Sequence, residues 1–178
     1  ALGACSADTT TTYWSNAAGF TIANATSCIS GQTAYKHTAL TGAARARFQS
    51  IGVFVSGQTD CESFVLENDV ANAATVTLIG IYDNTIGNFL YTANVTWATH
   101  TIATASGTGT CGIVDLGGGR YRAWVAAAGV AAGAVLGGAG NGRFAGIYPT
   151  GLTDNTFAAI LHHAQFEAAT SVPSSPIV

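Results

Sequence analysis

The sequence predicts an all-β domain built as a two-sheet antiparallel sandwich, and three observations carry that prediction. β-branched and aromatic residues recur in short runs, the composition that suits a pleated, half-buried surface. Clusters of Gly, Asn, Asp and Ser separate those runs and supply turn chemistry. No heptad, helical repeat or long stretch of strong helix formers competes with the pattern. A chain of 178 residues suits one domain with a substantial core. We place the sandwich over residues 1–170 and an extended tail over 171–178, where Ser171-Val172-Pro173-Ser174-Ser175-Pro176 disfavours regular structure.

Taken in order, the first clear strand covers residues 47–56, in which Ile51, Val53 and Val55 share a face. Residues 74–82 follow with apolar side chains on both faces, as a core strand requires. Further strands are expected over 89–97, 112–116, 120–127, 144–148 and 156–167. Asp83-Asn84 with Gly87-Asn88, Gly117-Gly118-Gly119 and Gly140-Asn141-Gly142 tolerate positive φ and read as hairpin or loop tips. The Gly117–Gly119 run lacks the following Gly-Lys-Ser/Thr and helix of a phosphate loop. Residues 126–138 are a low-complexity Ala/Gly run that periodicity does not resolve.

Charged residues make up only 8% of the chain against a hydrophobic share of 48%. A surface so poor in charge tends to associate, so homo-oligomers or incorporation into a larger particle are expected. The net charge of −3 and six Lys plus Arg without a basic run argue against nucleic acid. No apolar stretch reaches the roughly 20 residues of a membrane helix, so no membrane span is expected. Leu2-Gly3-Ala4-Cys5 has the spacing of a lipoprotein cleavage box, but a processed lipoprotein begins at its cysteine, so ordinary sequence is the better reading. Cys5, Cys28, Cys61 and Cys111 allow three pairings, and compartment decides whether any forms.

No catalytic or cofactor pattern emerges. No Gly-x-Ser-x-Gly elbow is present, and the cysteines show no zinc spacing. His37, His100, His162 and His163 are scattered, and strand alternation turns the adjacent pair to opposite faces. Glu62, Glu67 and Asp69 could serve as a carboxylate pair or as calcium ligands, yet a polar turn after Cys61 explains them with fewer assumptions. The expectation is a protein that is not an enzyme and needs no metal or cofactor.

Three segments together resemble the carbohydrate-binding-like jelly-roll sandwich domains of bacteriophage tail-fibre and capsid-surface proteins. The first runs from Tyr13-Trp14-Ser15-Asn16 through Gly19-Phe20-Thr21 to Gly31-Gln32-Thr33-Ala34-Tyr35-Lys36. The second is Asp115-Leu116-Gly117-Gly118-Gly119-Arg120-Tyr121-Arg122, where Arg120 replaces the family's Trp. The third is Ala164-Gln165-Phe166-Glu167 with Thr170-Ser171-Val172-Pro173, where Val172 replaces a Tyr. The resemblance implies a virion-surface protein, in a tail or capsid fibre, that binds host or environmental glycans. Its structural alternative is a capsid decoration or cement protein. Other virion proteins would be partners, and a homotrimer would suit such a fibre.

Two residue-level expectations follow. Alternation puts Leu161, His163, Gln165 and Glu167 on one face of the closing strand; a bidentate Arg122–Glu167 pair with Gln165 beside it would fix register. For glycans, aromatic rings framed by polar groups at strand ends are needed. Tyr82, Asp83, Asn84, Tyr91, Trp97, His100 and Tyr148 meet that description, while Trp14, Tyr121 and Trp124 are assigned to the core.

Overall fold

The protein, in a computed structural model, is described over residues 5–6, 14–16, 20–26, 33–39, 47–50, 57–71, 73, 76–83, 88–128, 143–150 and 158–174. These residues form strands and their connections, with no helix among them. In chain order the strands are β1 (Cys5–Ser6), β2 (Trp14–Asn16), β3 (Phe20–Thr26), β4 (Thr33–Ala39), β5 (Arg47–Ser50), β6 (Thr59–Asn68) and β7 (Val76–Asp83). Then come β8 (Asn88–Thr96), β9 (Thr101–Gly107), β10 (Thr110–Gly117), β11 (Arg120–Ala128), β12 (Arg143–Thr150) and β13 (Ala158–Glu167). The expected residues 51–56 and the Gly140-Asn141-Gly142 tip lie outside the described residues.

Two antiparallel sheets result, as the sequence predicts. One runs β10-β11-β6-β13-β4-β3, with β1 joined to β13; the other runs β2-β5-β12-β7-β8-β9. The core between them takes Phe64, Leu66, Tyr121, Ala123, Val125 and Leu161 from the first sheet and Ile79, Ile81, Tyr91, Val95 and Trp97 from the second. Alternation is the cause: on β11 the odd positions Tyr121, Ala123, Val125 and Ala127 enter the core, leaving Arg122 and Trp124 on the outer face. The β10–β11 hairpin turns on Gly117, Gly118 and Gly119, whose φ values of 81°, 64° and 79° suit glycine best.

Two expectations need correction. Glu62 and Glu67 do not lie in a turn: they belong to β6, an inner strand flanked by β11 and β13. Glu67 meets His162 across the strands, while Glu62 is buried on the core side, and local composition reveals neither placement. Strict alternation also fails in β13, where a bulge between Leu161 and His163 inserts one residue. Leu161 and Ala164 therefore both face the core, and His163, Gln165 and Glu167 keep the outer face opposite Val65, Ser63 and Cys61. His162 bonds Glu67, another outer-face residue, so the adjacent histidines do not point to opposite sides.

Candidate functional site

The outer face of the first sheet carries a polar cluster centred on Arg122, whose residue is 4% exposed. Its Nε and Nη2 donate to Ser63 Oγ at 3.2 and 3.0 Å, and Nη2 also reaches Gln165 Oε1 at 3.2 Å. Because β6 lies between β11 and β13, the guanidinium crosses a whole strand, and the small Ser63 side chain leaves room for it. Nη1 donates to the Ser174 carbonyl at 2.6 Å. The expected partner Glu167 is within reach of Nη2 at 3.7 Å but is not bidentate. Its two oxygens instead accept the Ser174 N–H, each at 2.9 Å.

Arg122, Gln165 and Glu167 are thus brought together, and their task extends beyond register. They hold residues 168–174, a strap that returns across the sheet. Asp60 Oδ1 accepts the Ala169 N–H at 3.1 Å, and the Thr110 hydroxyl donates to the Ser171 carbonyl at 3.4 Å. Ser63 and Ser174 were not singled out in the sequence; a small hydroxyl amid Phe64, Val65 and Leu66 was the available signal.

Between strap and sheet lies a cleft of about 370 Å³, lined by Val114, Leu116, Arg122, Trp124, Val172, Pro173 and Ser174. Trp124 is half-buried and borders this space, not the core, which corrects its sequence assignment. The cause is its cross-strand partner Gly112. A Cβ there would come within 2.6 Å of three indole atoms, so only glycine lets the ring lie over β10. Gly112→Ala is expected to displace the indole and cost about 1–3 kcal/mol, an overpacking effect. Thermal melting together with indole fluorescence checks this; an unchanged melt and spectrum would refute it.

The residues expected to bind glycans are dispersed. Tyr91 and Trp97 are 1% and 6% exposed and sit in the core. The Tyr91 hydroxyl meets Thr104 Oγ1, and Trp97 Nε1 donates to Thr77 Oγ1, each at 2.8 Å. His100 is exposed and stacks on the Tyr121 ring at 4.6 Å, while Trp97 meets that ring edge-on at 6.0 Å. Tyr82 and Asp83 end β7 opposite Phe89 and Asn88, at the end of β8 away from Trp97, and β8's nine residues span roughly 30 Å. Tyr148 lies on β12 opposite Leu78, and Asn84 is outside the described residues.

Electrostatics follow burial. Desolvation, then the neighbouring Glu167 charge, raises the Glu62 carboxyl well above its ordinary value, and neither of its oxygens has a hydrogen-bond partner among the described residues. Burial, then Arg122, lowers His163; burial lowers His162 against the opposing pull of Glu67. Cys61 and Cys111 are free thiols, and burial foremost pushes Cys61 upward. Among the described residues no group of three His, Cys, Asp or Glu is placed to hold a metal ion, and no helix is long and apolar enough to cross a membrane. Comparison with protein-family models and with curated proteins gives no match.

Proposed function

We propose that this sandwich is a non-enzymatic surface module of a bacteriophage virion, in a tail or capsid fibre, that engages glycans in the cleft over Trp124. The observation that carries the reading is that cleft. A half-exposed indole forms part of its lining beside the aliphatic Val114 and Leu116, with the polar Arg122 and Ser174 at its border. Aromatic faces bind the apolar faces of sugar rings, and a few placed polar groups orient the hydroxyls. Its volume of about 370 Å³ lies within the small-ligand range of about 300–1,000 Å³. Modest single-site affinity suffices when many copies share one particle. The three family-like segments support the virion setting.

On a glycan array, the whole chain is expected to bind reproducibly, and Trp124→Ala to lose about fivefold, since an aromatic stack is worth roughly 1 kcal/mol. Binding unaffected by Trp124→Ala would remove the cleft from the reading, and no binding by the whole chain would remove glycans. The second reading is a decoration or cement protein with a structural role. Val114, Leu116 and Val172, which are 53%, 37% and 55% exposed, favour it, because clustered exposed apolar side chains mark surfaces that become covered.

A further inference from the structure

The first sheet ends on β10, and among the described residues its far edge pairs with no strand. Such an edge presents a row of free N–H and C=O groups, which sheet proteins guard with Lys, Pro, inward charges or bulges. Here the guard is weak. β10 contains no Lys, Arg or Pro. Its one charge, Asp115, accepts the Gly117 N–H through Oδ1 at 2.7 Å in its own turn. The bulge lies at the end of the strand, between Asp115 and Gly117, so Thr110 to Asp115 pair regularly with β11. Along that open edge the outer-face row is Gly112, Val114 and Leu116, the last two exposed. The other sheet's edge, β9, is exposed almost throughout but carries mainly Thr, Ala and Ser, with little apolar area to bury.

We propose that β10 is a self-association edge, at which a second copy of this chain adds its own β10 antiparallel about a twofold axis at Ile113. The strand is complementary to itself in that register. Val114 falls opposite the partner's Gly112, which the Trp124 ring covers, so each valine packs against the edge of an indole. On the inner face Ile113 meets the partner's Ile113, next to the core cluster against which Ile113 already packs. The like charges stay apart: Asp115 and the partner's Asp115 lie four strand positions from each other, roughly 14 Å, beyond the Debye length of about 8 Å at physiological salt. A strand rich in charge would find no counter-charge along β10, which argues for a second copy over a charged partner.

This arrangement is a twofold pair, not the threefold assembly expected from the sequence. It places two Trp124 clefts on the same side of one continuous sheet. It does not depend on glycan binding, and each can fail without the other.

Sedimentation of the whole chain at high micromolar concentration tests it. The expected result is twice the 17.9 kDa chain mass. Val114→Lys, at an exposed site, should give folded monomer by circular dichroism, and Ser106→Lys on β9 should leave the pair intact. In a Cys111→Ser background, Ile113→Cys should cross-link two copies on mild oxidation, since directly opposed strand positions lie within disulfide reach. A monomeric or trimeric wild-type chain, a Val114→Lys variant that still pairs, or dissociation by Ser106→Lys alone would overturn the proposal.

Discussion

Arg122→Ala is expected to lower stability by about 3–5 kcal/mol, the scale for removing one partner from a buried, hydrogen-bonded charge cluster. An exposed ion pair would give less than about 1 kcal/mol. The larger figure applies because Arg122 is buried and its donors serve Ser63, Gln165 and Ser174 together. Without the guanidinium, Glu167 keeps its position but loses its cation, and the Ser174 carbonyl loses its short bond. The strap over 168–174 should loosen before the sandwich unfolds. Urea denaturation measures the first effect, and limited proteolysis near residue 171 reports the second. A loss under 1 kcal/mol with unchanged proteolysis would show that the strap is held by other contacts.

Glu62→Leu is expected to stabilise the protein, with a gain of about 2–3 kcal/mol at pH 8 from removing a buried polar group without a partner. Glu62 faces the core from β6, in register with Val125. Its folded-state affinity for a proton is raised well above the ordinary carboxyl value of 4.5. The folded chain therefore holds a proton that the unfolded chain releases as pH climbs past that value, and stability declines with rising pH. The gain from Leu should shrink toward pH 5. His162 and His163 act in the opposite sense: both are lowered from 6.5, so their contribution is lost as pH falls below that value. Thermal melts of both chains at pH 5 and pH 8 separate the effects. An equal gap at the two values would mean that Glu62 is ionised alike in the folded and unfolded chain.

The strands legible in the sequence were those whose own side chains announce them, such as β7 with Val76, Leu78, Ile79 and Ile81. β6 was misread because Glu62 and Glu67 look like turn residues until Arg122, His162 and the core are placed around them. β9 offered a single Ile among small side chains, and one large apolar residue gives no periodic signal. The bulge in β13 was invisible, since alternation counts residues and a bulge adds one. The two tryptophans illustrate the limit at the site. Trp97 and Trp124 look equivalent as isolated letters, yet one is buried and the other borders the cleft. Counting outward from the Gly117–Gly119 turn pairs Gly112 with Trp124, a signal the sequence did contain.

The position of β6 bears on how fast this fold can assemble. Its neighbours β11 and β13 come much later in the chain: Arg122 and Ser63 are 59 residues apart, and His162 and Glu67 are 95 apart. Closing loops of that size costs entropy before any pairing offsets it. The first sheet should therefore nucleate late and the chain fold slowly, as sandwiches dominated by distant contacts do. Until β13 docks, β6 presents an open edge between ordered and unordered chain. Copies made close together would then compete with β13 for that edge, so dilution during refolding should raise the yield of native protein.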